Sequence, residues 1–399
     1  MIRNFKDIIF PIITGALFIF LFFGLHQISY VIAFFALISL FISIKNKRLN
    51  YRYNKSLFLI LFFYIIHVVG VLYSTNKDIA AFDVEIKLSL FIFPLLMLFV
   101  ADLIVKNYNN ILRLFFIIIS LFSLSLLVNA IINFINTKNI NDVIYTNFSV
   151  LLHPSYFAMY LIFAMIVSFY AYKKVICKSI IIPIISIFIN IMALLFSDSK
   201  SGYVGAILVF LYLLISLLYK KSKLYTVISV FILLILGVVL VKTNQRLQIM
   251  LNVTENYNKI INNPNTYKES TGLRILSWNA TIDAIKENPI FGVGTGDIKP
   301  VLLKKYEDLN YQKNIEIKMN VHNQFLETWL GQGVVGFILL LLVFIIPFIE
   351  AIKRKNIILQ AFLLLVFINF LFESMLNTQA GTIFFGFFYS FLVVVNNED

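Results

Sequence analysis

Apolar residues run on along most of this chain without the alternation of a barrel strand or the single stripe of a surface helix. Polar breaks divide them into twelve stretches, at 8–25, 28–44, 56–73, 88–105, 111–135, 153–172, 179–196, 202–219, 224–241, 324–349, 356–373 and 379–395. A helix crossing a bilayer needs about 20 mostly apolar residues. The pattern therefore predicts an all-α polytopic membrane protein with about twelve transmembrane helices. One long segment, Lys242–His322, is too polar to be buried in lipid. The chain divides accordingly into residues 1–241 with nine spans, a mostly helical loop domain at 242–323, and residues 324–399 with three more spans.

Inside the loop domain the pattern changes period. Ile275, Trp278, Ile282 and Ile285 recur at spacings of three, four and three, which predicts a helix over Leu273–Lys286 ended by Asn288-Pro289. Arg274 and Trp278, four apart, are neighbours on its surface. Pro300–Gln312 predicts a second short helix, and the Asn-rich stretch Asn252–Asn265 predicts irregular chain. Gly292, Gly294 and Gly296 lack the preceding strand of a dinucleotide fingerprint. They predict a tight loop that brings backbone close to another part of the molecule. The short segment Ser74–Lys87 reads equally as an interfacial helix or a solvated connection.

Composition sharpens the picture. Sixty per cent of residues are hydrophobic, 13% are charged and 42 are Phe, with mean hydropathy +0.89; a soluble domain is nearer half apolar. The run after the basic Met1–Lys6 lacks a small-residue cleavage site and reads as the first span. The single cysteine, Cys177, excludes an intrachain disulfide and a cysteine-based metal site. With the N-terminus cytoplasmic, eighteen lysines and arginines fall in inner segments, around Lys47, Lys106, Lys174, Lys221 and Lys353 among others. Only Lys77, Lys87, Lys138 and Lys200 fall in short outer loops. This asymmetry predicts cytoplasmic termini and an external loop domain. The net charge of +13 is thus mostly a topology signal, and its dispersal through short loops argues against nucleic acid as a partner.

Candidate chemistry gathers on the outer side. His322 and Asn323 open span 10, and Glu327 follows within its first turns. Glu373 lies at the outer end of span 11. Carboxylates at membrane depth are functional candidates; alternatively both glutamates pair structurally with Arg274, Lys200 or His322, and His322 only caps span 10 and bonds to Glu327. His153, before Pro154, is a cap or a site residue at the mouth of span 6. The hairpin Ser197–Gly202 pins Asp198 and Lys200 at the surface, where the lysine either binds phosphate or pairs with the aspartate. Trp278 is an interfacial anchor or part of the site. His26 and His67 read as helix–helix hydrogen-bonding groups.

The order of these short motifs is more specific than any one of them. Ser199-Lys200-Ser201-Gly202 comes first, then Arg274-x-x-x-Trp278 with Asn288-Pro289-x-x-Gly292-x-Gly294. His322-Asn323-x-Phe325-Leu326 with Gly331-x-Gly333-x-x-Gly336 follows, and Glu373 stands before an aromatic last span. In this order, and in its twelve-span plan, the chain resembles the O-antigen ligase and polymerase superfamily of bacterial envelope glycosyltransferases. The resemblance implies a multi-pass inner-membrane enzyme with a periplasmic active site and no cofactor or metal. It implies an undecaprenyl-pyrophosphate-linked glycan as donor and lipid A-core, another glycan or a protein as acceptor. It implies His322 as the catalytic histidine and Arg274 as one of two pyrophosphate-holding arginines. The other falls at Lys200, which keeps the charge but loses the planar fork. Trp278, Asn323, Glu327, Glu373 and His153 are expected to support the site. Ligase, polymerase and protein O-oligosaccharyltransferase share this donor chemistry. A lipid-linked glycan transporter would also explain twelve spans, but the long loop breaks any internal repeat.

Overall fold

A computed structural model describes residues 5–23, 27–45, 54–177, 179–219 and 221–396. The expectation for His26, and several inner-loop cations including Lys47, Arg48, Arg52, Lys178 and Lys220, lie outside the described residues. The fold is all-α, with no strand among the described residues. In chain order the helices are α1 (Phe5–Phe23), α2 (Ile28–Lys45), α3 (Lys55–Tyr73), α4 (Lys77–Lys87), α5 (Ser89–Phe99), α6 (Ala101–Thr137), α7 (Pro154–Lys173), α8 (Ile181–Ser197), α9 (Lys200–Leu218) and α10 (Lys223–Thr243). The loop domain follows with α11 (Gln245–Glu255), α12 (Tyr257–Asn262), α13 (Ser270–Glu287), α14 (Ile298–Asp308) and α15 (Gln312–Glu316). The chain returns through α16 (Gln324–Lys353), α17 (Ile357–Phe372) and α18 (Gln379–Asn396). Among the described residues seven helices are long and apolar enough to cross a membrane, and four shorter apolar helices accompany them. The protein is a polytopic membrane protein.

The bundle is organised around α18 and α7. From Gly381 to Asn396 every residue of α18 is buried, as is nearly all of α7. Phe388 meets Phe115 at 4.7 Å between ring centres and stacks on Phe18 at 5.5 Å, and Phe384 meets Tyr160 at 4.4 Å. Lipid is as apolar as these rings, so close packing and interhelical hydrogen bonds hold such helices together. Ser120, Ser168, Ser186 and Asn190 bond to one another at 2.7–3.3 Å between α6, α7 and α8. By contrast α10 is equally apolar but buries only Thr226, and so presents a lipid-facing surface.

Three expectations are corrected here. Polarity predicted a loop at 106–110 between spans 4 and 5, but the chain breaks at Val100 and α6 runs unbroken for 37 residues. Lys106–Asn110 contains no Pro or Gly, and Asn107 Nδ2 bonds back to Leu103 O, so these residues are polar without being helix breakers. The run at 88–105 leaves α5 only 11 residues long, about 16 Å. Asn252–Asn265 is helical in α11 and α12 rather than irregular, with Leu247, Val253 and Ile260 buried. The Ser74–Lys87 segment resolves in favour of a helix, α4.

The glycine loop packs where a helix breaks. Gly333 has φ +65° inside α16, and a Cβ there would lie 2.0 Å from Ile290 O. The loop fills the break. Val293 N–H donates to Leu330 O at 2.8 Å, Gly294 N–H to Gly331 O at 2.9 Å and Val334 N–H to Pro289 O at 2.9 Å. On its other side Thr295 Oγ donates to His67 O and Gly296 N–H to Ser74 Oγ. This docks α13 and α14 rigidly onto the bundle. The His67 ring itself makes no hydrogen bond among the described residues, against expectation. Nδ1 lies 3.9 Å from Asp83 and the ring packs edge-on against Phe63.

Candidate active site

Four chain segments converge on Glu373. The last turn of α17 ends at Phe372, and Glu373 follows in extended conformation with its N–H on Asn369 O. Its side chain is 3% exposed. Oε1 accepts hydrogen bonds from Arg274 Nη2 on α13 and from Ser155 Oγ, at 2.9 Å, in the first turn of α7. Oε2 faces His322 Nδ1 at 2.8 Å. Burial pushes the Glu373 carboxyl up, but Arg274 and the His322 bond together outweigh it and hold it at about 2. The buried carboxylate is therefore ionised and can only accept, so His322 Nδ1–H donates to it. This bond selects the tautomer whose lone pair, when the ring is neutral, sits on Nε2.

His322 adopts φ +53°, a left-handed conformation uncommon for a residue with a Cβ. Its neighbours hold it there. Ser277 Oγ donates to Asn320 O at 2.9 Å, and the Trp278 indole N–H reaches His322 O at 3.4 Å. The cap of α16 is Asn323, whose Oδ1 accepts from Phe325 N–H and Leu326 N–H at 3.0 Å. His322 is thus neither that cap nor a partner of Glu327. Glu327 instead accepts from Asn377. His153 caps α7 by accepting from Ser155 N–H at 3.4 Å. It also stands close enough to the cluster that its imidazole, pushed down by burial, is partly drawn back by Glu373. The capping reading of this residue is thus observed, and the ring also stands near the cluster.

Beside this cluster lies a cavity of about 190 Å³ lined by Tyr145, Ser155, Lys200, Arg246, Arg274 and Trp278. The N-terminal turns of α9 and α13 both border it, capped by Ser199 Oγ on Gly202 N–H and by the Glu269 carboxylate on Thr271 N–H and Gly272 N–H. Lys200 Nζ donates to Thr271 Oγ at 2.9 Å and lies 3.8 Å from Glu269, so the expected pairing with Asp198 does not form. Asp198 pairs with Arg246 instead, at 3.5 Å. The Arg246 guanidinium also donates to Asp198 O at 3.0 Å and lies 3.5 Å above the Tyr145 ring. Sequence reading missed Arg246. Its signal was present: besides Arg274 it is the only arginine between Lys242 and His322. Ser155 and Tyr145 were missed too, and their residue types carried no comparable signal. Among the described residues no three His, Cys, Asp or Glu side chains are grouped to hold a metal ion.

Residues 184–341 match the family model described as O-Antigen ligase. That span includes Lys200, Arg246, Arg274 and His322 but stops before Glu373. A 204-residue stretch is 28% identical to an uncharacterized protein of Haemophilus influenzae, covering 49% of each chain. The chain thus spans about half the length of the curated relative it matches.

Proposed function

We infer, from the match of residues 184–341 to the O-antigen ligase family model, that the chain is a ligase-type glycosyltransferase of the periplasmic face of the inner membrane. It moves a glycan from an undecaprenyl pyrophosphate donor onto an acceptor hydroxyl, with lipid A-core as the acceptor. The observation that carries this reading is the juxtaposition of the His322–Glu373 pair with a cavity lined by three cations. As the bond between the anomeric carbon and the pyrophosphate oxygen breaks, negative charge develops on the leaving group. Arg274, Arg246 and Lys200 stabilise it, most effectively where water is excluded. The acceptor oxygen bonds to the anomeric carbon, and its proton passes to His322 Nε2. Glu373 fixes the tautomer and stabilises the imidazolium, as a carboxylate does for a catalytic histidine. Bound Ser155 and Arg274 keep Glu373 itself from rotating away.

The test is transfer from purified polyprenyl-pyrophosphate glycan in detergent with EDTA present. Loss of a general base costs about 10²–10⁴ in rate. His322→Ala and His322→Gln should therefore lose turnover by that factor while still binding donor. Near-normal turnover by folded His322→Ala, or abolition of wild-type activity by EDTA, overturns the mechanism. In the host, deletion should leave lipid A free of polymer while full-length lipid-linked polymer accumulates. Single-repeat products instead indicate a polymerase.

A further inference from the structure

A second cavity, of about 210 Å³, is bordered by residues that neighbour His322 in the chain. Asn320 lines it, two residues before His322, and Glu327 and Asn377 line it from beyond. Phe372 and Trp278 line the cationic cavity, whereas Asn377 lines this one. Residues 372–377, which carry Glu373, thus reach from the first cavity at Phe372 to the second at Asn377, and His322 directly follows Val321 of the second.

The two cavities differ in charge. The floor of the second holds Asp83 and Glu327, and each has a buried carboxylate oxygen with no hydrogen-bond partner among the described residues. Glu327, 5% exposed, accepts from Asn377 on Oε1, and the Ser374 hydroxyl stands beside the carboxylate without closing a hydrogen bond to Oε2. Asp83 Oδ1 binds Lys87, and Oδ2 makes no hydrogen bond, facing His67 Nδ1 at 3.9 Å. A buried acceptor left without a donor is costly, so two at one cavity mark a place suited to donors from outside. Lys87 is already paired with Asp83 and Lys299 stands at the exposed edge, so this cavity lacks the three lining cations that suit the first to a pyrophosphate. Sugar hydroxyls fit, because carboxylates accept from them and the side-chain amides of Asn320 and Asn377 both donate and accept. The opening carries Phe82 on α4, 63% exposed. An aromatic face there can take the C–H face of a sugar ring or an acyl chain.

We propose that this cavity binds the sugar headgroup of the acceptor glycolipid, with Glu327 and Asp83 accepting its hydroxyls and Phe82 at its entrance, so that donor pyrophosphate and acceptor sugar reach His322 from different cavities. The proposal rests on the glycosyltransferase reading above and adds the acceptor's place to it. It gives buried Glu327 a role, and the turn before α4 is held to the loop domain by Thr75 N–H and Asn76 N–H donating to Asp297.

The experiment uses the full-length protein in detergent, with lipid A-core glycolipid as the acceptor probe and a polyprenyl-pyrophosphate glycan as donor. Glu327→Gln retains an acceptor for Asn377 and removes the charge. A hydrogen bond to a charged group is worth about 1.5–3 kcal/mol, so the acceptor KM should rise about 10–100-fold while the donor KM stays within about threefold. A merely structural role lowers the amount of active protein and moves neither KM. In a second measurement a photo-crosslinking benzoylphenylalanine replaces exposed Phe82. It should capture the glycolipid, and excess sugar-free polyprenyl pyrophosphate should not prevent capture. An unchanged acceptor KM, equal rises in both KM values, or capture abolished by polyprenyl pyrophosphate overturns the proposal. If the underlying reading is wrong instead, the wild type transfers no glycan at all, which separates the two failures.

Discussion

Glu373 is buried yet ionised because two donors of different kinds converge on it, a guanidinium and an imidazole N–H. Its carboxyl falls from an ordinary 4.5 to about 2. A lowered value in the folded state contributes stability that is complete above 4.5 and is lost as pH falls through 2. The shift corresponds to a contribution on the order of 3 kcal/mol at neutral pH. Comparing thermal unfolding of wild type and Glu373→Gln in detergent should show a gap that is widest above pH 5 and closes toward pH 2. A gap independent of pH rules out the ionised carboxylate. The cations divide by geometry. Arg274 touches both Glu373 and the cavity, so Arg274→Ala should abolish transfer and also destabilise the fold. Arg246 is held by Asp198 and Tyr145 at the cavity wall. Arg246→Ala should raise the donor KM at least tenfold, since a charged contact of about 1.5–3 kcal/mol is lost, with little change in the acceptor KM. Lys200→Arg should keep activity, because Ser270, Thr271 and Glu269 present acceptors to any cation there.

Where elements meet, glycines decide the packing. The 289–296 loop supplies the hydrogen bonds that α16 lacks at its break, and only a residue without Cβ allows so close an approach at Gly333 and Gly292. The same junction sets the start of α16, and hence His322, relative to α13. Gly333→Ala places a Cβ against Ile290 O in a left-handed backbone. It should therefore destabilise by several kcal/mol, read as loss of folded protein in fluorescence-detected size exclusion. Normal yield and melting temperature refute the interlock. The loop was legible as glycines needing a close approach. Its partner was not, because Gly331 and Gly333 also satisfied the ordinary pattern of small residues at a helix interface. Helix boundaries misled for a related reason at Lys106–Asn110, where polarity ended a hydrophobic run without ending a helix.

For the whole molecule, the charge bias predicts a loop domain outside and the turns near Lys174 and Lys221 in the cytoplasm. A Cys177→Ser background with cysteine introduced at exposed Lys268 or exposed Lys174 tests this. A membrane-impermeant thiol reagent applied from the periplasm should label 268 and spare 174, and the opposite pattern reverses the topology. The apolar runs, the helicity, the loop domain and the ordered motifs around Lys200, Arg274 and His322 were all determined by the chain's sequence alone. Hydrophobicity summed over some twenty neighbours is a local property, and local properties survive in a one-dimensional reading. Other features were decided by tertiary structure. Glu373 rather than Glu327 partners His322, Arg246 rather than Lys200 takes Asp198, and Glu327 turns to a second cavity. Both glutamates had the same residue type and the same expected depth. Their roles separate only because a hydrogen bond forms within about 3 Å and in one direction, and that distance joins residues 322 and 373 through the packing of α7, α13, α16 and α17.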